Sequence, residues 1–352
     1  MKLKNLLLIF ILLLLLVQVL PVTGLQASNA ENRTITDMVG RSIEIPTQIN
    51  HVLSTAPPTT MTIYMLAPDT LLGLNSASNT TKFMDQKYRD LPNVGGWYGT
   101  STGNYETFIS LKPDVVIEPD LGTGDLSKTI LERQEKFSEI PVIGIMDARN
   151  ITGYDPSIQF LGSLLNKESE SKSLLEFYHR VLSLVQNKAS SIPDDKKVTV
   201  YYAEGPKGLK TDPVGSSHSE LIELVGGKNI ADCNITPGMG MTEVSMEQVL
   251  SWNPDVIIVG DPGFYKSVYS DPIWANIKAV QNKRVYLVPQ APFPWFDRPP
   301  GVNRIIGIPW VAKILYPDVY SDIDITSLAK EFYSKFYHYD LSDSDLTSIL
   351  NP

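Results

Sequence analysis

Two stretches decide the fold: Tyr105-Glu-Thr-Phe-Ile-Ser-Leu-Lys-Pro-Asp-Val-Val-Ile117 and Met246-Glu-Gln-Val-Leu-Ser-Trp-Asn-Pro-Asp-Val-Ile-Ile258. They align without a gap at a constant offset of 141, and six of thirteen positions are identical. An internal repeat at this spacing marks two similar folding units rather than a solenoid. Each copy reads as a short helix, a Pro-Asp turn and a strand. The strand portions, Val115–Ile117 and Val256–Val259, are apolar without alternation. That pattern suits parallel strands covered on both faces.

The flanks extend the pattern. His51–Thr55 predicts a strand, Thr59–Ala67 a helix and Leu71–Leu74 a further strand. In the second half Val198–Ala203 predicts a strand. Ser217-His-Ser-Glu220 predicts a capping box opening a helix that ends at Gly226-Gly227. Strands alternating with helices give an α/β fold of two lobes with mostly parallel sheets. Between the halves, Leu174, Tyr178, Val181 and Val185 share one helical face within residues 167–192. A helix of that length spans about 36 Å and can join the lobes as a single strut. The expected organisation is an N-terminal lobe over 31–166, the connecting helix over 167–192, a C-terminal lobe over 193–338 and a frayed polar tail over 339–352.

Composition bounds the function. The chain has 352 residues, 43% hydrophobic and 20% charged, which is ordinary for a globular protein of about two domains. The net charge of −9, with no basic run, argues against nucleic-acid binding. One cysteine, Cys233, rules out an internal disulfide and a multi-cysteine zinc site. The four histidines, His51, His179, His218 and His338, are dispersed. Residues 1–30 read as a secretory signal, cleaved or retained. Lys2 and Lys4 precede the apolar run Leu6–Val17, and Ser28-Asn29-Ala30 offers small residues for cleavage. No cysteine follows that run to carry a lipid anchor, and no other long apolar run occurs, so behind its export signal the body is expected outside the cytoplasmic membrane.

With these features the chain resembles the substrate-binding proteins of ABC importers. The resemblance rests on the export signal, the opening Thr36-Asp-Met-Val-Gly-Arg-Ser-Ile-Glu-Ile-Pro46, the paired Glu…Pro-Asp-Val blocks and the single connecting helix. It is to the helical-backbone class that captures ferric siderophores, cobalamin, haem and related metal compounds. The resemblance implies a ligand cleft between the lobes and a membrane permease with a cytoplasmic ATPase as partner. It also implies that Glu106 and Glu247, at equivalent places in the repeat, pair with permease arginines. On residue chemistry alone both are first-turn helix glutamates favoured by the helix dipole. A ferric siderophore is the expected cargo, with cobalamin, haem or a nickel complex as alternatives. The protein is expected to act as a monomer, without a resident cofactor or metal of its own.

The cleft candidates are mainly aromatic, since flat apolar rings suit a large chelate. Trp97 and Tyr98 follow Gly95-Gly96 in a loop. Tyr201 and Tyr202 lie near the end of a predicted strand. Met239 and Met241 flank Gly240. Phe293, Trp295 and Phe296 sit among prolines just before Asp297-Arg298. The expected ligand contacts are Trp97, Tyr98, Tyr202, Trp295 and Arg298. Arg298 fits either a bidentate hold on a ligand carboxylate or a structural salt bridge. Glu204 and His218 are secondary candidates, His218 being expected in an exposed first turn. No Gly-x-Ser-x-Gly elbow, His-Glu-x-x-His pair or phosphate loop occurs, so the sequence reads as a receptor and not an enzyme, with an exported enzyme acting on a metal complex as the rival of another class.

Overall fold

The computed structural model describes residues 31–76, 83–122, 124–146, 149–236 and 240–350. Residues 1–30, where a signal is expected, and Met239 lie outside the described residues. The chain opens with an antiparallel hairpin of β1 (Asn32–Thr36) and β2 (Ser42–Pro46). The first lobe is built on a parallel sheet of β3 (Val52–Ser54), β4 (Val115–Pro119) and β5 (Val142–Ile145), in that spatial order. The second lobe holds β6 (Thr199–Ala203), β7 (Lys210–Thr211), β8 (Lys228–Asn229), β9 (Thr242–Glu243), β10 (Val256–Val259) and β11 (Val285–Leu287). Its main sheet runs β11-β10-β6-β8, all parallel, while β7 and β9 form a short antiparallel pair.

The sequence repeat is a structural repeat. The first stretch forms the helix Tyr105–Ser110 and then β4, and the second forms the helix Met246–Trp252 and then β10. Lys112 and Asn253, equivalent in the repeat, both take left-handed backbone (φ 53° and 44°) as the chain leaves its helix. The Pro-Asp turn then ties each copy to its neighbour strand. Asp114 accepts from the Asn50 and His51 amides at 2.7 and 2.8 Å. Asp255 accepts from the Thr199 amide at 3.0 Å and its hydroxyl at 2.8 Å. In both lobes the turn aspartate thereby fixes where the first parallel strand enters the sheet.

Alternation along the strands sends side chains into two different cores. Val52, Val115, Ile117, Val200, Tyr202, Val256 and Ile258 face one central cluster shared by both lobes. Leu53 and Val116 face a separate cluster with Phe108, Ile130 and Phe137. Tyr201, Ile257 and Val259 face another with Phe264 and Trp274. The connecting helix, Glu168–Ser191, lays Leu174, Tyr178, Val181 and Val185 on the shared core.

Three local expectations differ from the structure. Leu71 and Leu74 make isolated bridges, not a strand. The helix at Glu220–Leu224 begins after Ser219 with no side-chain cap, because Ser217 Oγ accepts from Arg149 and Ser219 Oγ donates to Pro213 O; a capping box is formed by Ser245 and Gln248 instead. The tail is not frayed: Asp343–Leu350 is a helix that buries Leu346 and Ile349. No helix among the described residues is long and apolar enough to cross a membrane.

The two turn aspartates predict unequal costs. Asp255→Ala leaves a part-buried amide and hydroxyl unsatisfied and should destabilise the fold by about 1–3 kcal/mol. Asp114→Ala frees amides that water can reach and should cost less. Urea unfolding of the two variants checks the order.

Candidate ligand cleft

A cleft of about 740 Å³ opens between the lobes. It lies beyond the carboxyl ends of the parallel strands, where ligands gather in open α/β sheets. The first lobe contributes Pro57, Pro58 and Met61 from the start of the helix Pro57–Leu66, then Asn75, Trp97, Tyr98 and Arg149. The second lobe contributes His218, Phe293, Arg298, Pro299 and Pro300. Among the described residues, no carboxylate belongs to the lining of this cleft.

The Gly95-Gly96 loop places the two lobe-one aromatics. At Gly96 (φ 151°) a Cβ would meet the Thr55 carbonyl oxygen at 2.1 Å, so only glycine lets the loop run this close to the end of β3. The Trp97 amide donates to the same carbonyl at 2.8 Å. Tyr98 is half-buried and its hydroxyl donates to Asn75 O at 2.7 Å. Trp97 lines the cleft edge, but its ring is engaged from behind. It packs 4.5 Å from Tyr105 and 5.3 Å from Phe108, with the Arg133 guanidinium 4.1 Å from its centroid.

Two expected ligand contacts are elsewhere. Tyr202 is buried in the central core with its ring 4.6 Å from Phe296. Its sheet is covered on both faces, so neither Tyr201 nor Tyr202 reaches the cleft. Trp295 is fully buried and donates from Nε1 to the Tyr333 hydroxyl at 3.1 Å. Its backbone lies against the helix Arg304–Leu315 at Gly307, where a Cβ would meet the Trp295 carbonyl oxygen at 1.9 Å. The proline-rich loop therefore turns Trp295 inward under this helix. Of the loop aromatics, Phe293 borders the cleft.

Arg298 reaches the cleft wall while bound into a buried charge cluster. Its Nε donates to Glu204 Oε1 at 2.7 Å and lies 3.2 Å from Asp297 Oδ2, and Nη2 donates to Asp212. Burial drives the Glu204 carboxyl well above its ordinary value, against the opposing pull of Arg298. Asp297 is fully buried; burial alone would raise it, but Arg298 and His218 hold it below the usual carboxylate range. His218 is buried, not exposed. Its Nδ1 donates to Asp297 at 2.8 Å, which leaves Nε2 to accept from Arg149 Nη2 at 3.3 Å. Asp212, His218 and Asp297 come close enough together to present three potential metal-ligand atoms. The Arg298 guanidinium already bonds to both carboxylates, and His218 bonds to Asp297.

Arg149 is the residue that sequence reasoning missed. It follows β5 in the loop at the carboxyl edge, which is the signal that would have found it. It donates to Leu121 O, Ser217 Oγ and His218 Nε2, and it makes no ion pair with a described carboxylate. Burial, and then the nearby Arg304 guanidinium, push it below the ordinary arginine value. Arg304 is itself fully buried and donates to Arg149 O and Ser217 O, both at 2.6 Å, so it joins the two lobes at the cleft floor. Tyr154, pushed up to about 12 by burial, remains a hydroxyl donor to Gly301 O at 2.6 Å across the same floor.

Comparison with known proteins supplies a family. A model described as "Periplasmic binding protein" matches residues 53–292. The molybdate-binding protein MolA of Haemophilus influenzae is 28% identical over 96% of this chain and 97% of its own length. The high-affinity heme uptake protein IsdE of Staphylococcus aureus is 25% identical over 67% of this chain and 79% of its own. An ABC transporter solute-binding protein from Sulfurospirillum deleyianum superposes with a TM-score of 0.83 at 36% identity, covering 91% of this chain and 99% of that one.

The burial of Trp295 sets a test. Trp295→Ala should lower stability by about 3–5 kcal/mol, the cost of emptying a buried tryptophan site. Ligand affinity measured on the folded fraction should stay within a few-fold of the parent. A stable variant with strongly weakened binding would return Trp295 to the cleft.

Proposed function

The chain belongs to the periplasmic binding protein family and is an ABC-transporter substrate-binding protein, and from that premise we propose that it captures an anionic metal chelate of the ferric-siderophore kind outside the cytoplasmic membrane. One observation carries this reading: a cleft of about 740 Å³ whose wall, among the described residues, presents no carboxylate and does present Arg149, a half-buried guanidinium that pairs with no described carboxylate. An anionic cargo supplies the charge that Arg149 lacks. A charge-assisted hydrogen bond is about twice as strong as a neutral one. The volume falls in the range of drug-sized ligand pockets. Proline, methionine and aromatic side chains on the walls suit the organic rim of a chelate. Tyr98, Trp97 and Phe293 give the flat contacts, and Arg298 shapes the wall from within its ion cluster.

A second reading has its own support. The relative MolA binds molybdate, and a small oxyanion would use Arg149 and neighbouring polar groups without filling the cleft. The two readings separate by titration. Ferric siderophores, haem, cobalamin, molybdate and bare metal salts are added in turn while tryptophan fluorescence and heat are followed. The expected result is micromolar or tighter binding of an anionic chelate, weakened about 10–100-fold by Arg149→Ala, the scale of a hydrogen bond to a charged group. Tight binding of bare zinc or manganese, with no response to any anion, would overturn both.

Glu106 and Glu247 are the proposed contacts to the permease. Each is exposed in the first turn of its repeat helix, one per lobe. A pair of carboxylates at equivalent positions suits a partner with two equivalent cationic sites. Changing both to Arg should leave cargo affinity intact and abolish uptake by cells. Uptake equal to the parent would remove these residues from the interface.

A further inference from the structure

The repeat brings more than the two glutamates into register. Nine large apolar side chains among the described residues are strongly exposed. Two of them, Ile109 (41% exposed) and Leu250 (37%), are separated by the repeat offset of 141, and no other pair of the nine is. Each stands three residues after its glutamate. On a helix that spacing places two side chains side by side on one face. Ser110 and Ser251, one position further and four after the glutamates, are exposed as well. Each lobe thus carries the same small surface: a carboxylate, an uncovered aliphatic side chain and a serine, on one turn and a half of helix. The buried member of each helix is also equivalent, Phe108 in one and Val249 in the other. The opposite face is therefore anchored in the lobe, and the Glu–aliphatic face is turned outward.

We propose that Ile109 and Leu250 are apolar docking contacts for the importer's membrane permease, each entering a shallow socket beside the cation that meets Glu106 or Glu247. The inference rests on the reading of those glutamates as permease contacts. Charge complementarity directs the encounter, while burial of the aliphatic side chains holds the complex. A partner with two copies of one compound site, cationic and apolar together, is what two identical patches on a duplicated receptor fit. The same pairing explains why bulky aliphatic side chains remain in water at two matched points of the repeat.

The test uses the full-length receptor and the permease–ATPase complex of the same organism in lipid nanodiscs. Docking affinity is measured at low and high salt, with receptor-stimulated ATP hydrolysis as a second readout. Ile109→Gln with Leu250→Gln should weaken docking about tenfold at both salt concentrations, given the apolar area re-exposed. Glu106→Gln with Glu247→Gln should weaken docking chiefly at low salt, where charge attraction is least screened. Leu131→Gln, at a more exposed leucine (62%) outside the patches, should have no effect. Melting temperatures and cargo affinity of all variants should match the parent. If the glutamate variant loses docking and the aliphatic variant stays within twofold of the parent, the apolar contact is refuted and the carboxylate reading survives. If neither variant changes docking, the interface itself is elsewhere. An effect of Leu131→Gln equal to that of the aliphatic pair would also overturn the proposal.

Discussion

Everything in this molecule depends on two parallel sheets that are covered on both faces and share one core. One face of each sheet packs on its own lobe's cluster, and the other packs on the central cluster that the connecting helix seals. With both faces closed, no strand side chain is available for a ligand. The cleft is left to the carboxyl ends, where loops after β3, β4, β5 and β11 line it. That is why the cleft is lined by loop residues and by the first turn of the helix at Pro57–Leu66. It also explains Tyr202, an aromatic residue on a strand that alternation can send only into one core or the other.

The polar floor of the cleft follows from the same closure. Arg304, Tyr154, His218, Asp297 and Arg298 are removed from water, so each needs partners with good geometry. His218, Asp297 and Arg298 find them within the second lobe, while Tyr154 bonds to Gly301 O and Arg304 to Arg149 O across the lobe boundary. A buried arginine that holds main-chain carbonyls from both lobes fixes their spacing as the shared apolar core does. Arg149 is the exception in this network. Its terminal nitrogens bond to Leu121 O, Ser217 Oγ and His218 Nε2 and to no described carboxylate, so its charge is left for whatever enters the cleft. The carboxylates behind it, Asp297 and Asp212, are already engaged by Arg298.

How much of this was legible in the sequence depended on the physics that each element uses. The repeat, the apolar strands and the long amphipathic helix are local patterns, and residues 105–117 and 246–258 alone placed both lobes. The tail was misread because Leu346 and Ile349 are too sparse to signal a helix until the core offers them a surface. In the cleft, loops defeated the reading. Phe293, Trp295 and Phe296 look alike in sequence, yet Trp295 points inward to the Tyr333 hydroxyl, 38 residues away, while Phe293 borders the cleft. His218 was expected in water because its local sequence is polar; its burial comes from Asp297, 79 residues away. Arg149 carries no motif, and only its place after a parallel strand marks it.

The duplication also accounts for the outer surface. The Pro-Asp turn makes the same bonds in both halves, Asp114 to the entry of β3 and Asp255 to the entry of β6, so each short helix before it is held at the same place relative to its sheet. Because the sheets share a core, the two helices are fixed relative to each other as well. Glu106 with Ile109 and Glu247 with Leu250 are therefore presented at a separation set by packing. A symmetric partner that engages both patches at once gains from that rigidity, because little ordering is left to oppose binding. The same closed core that denies the strands any part in ligand capture gives the outer helices a fixed geometry to offer.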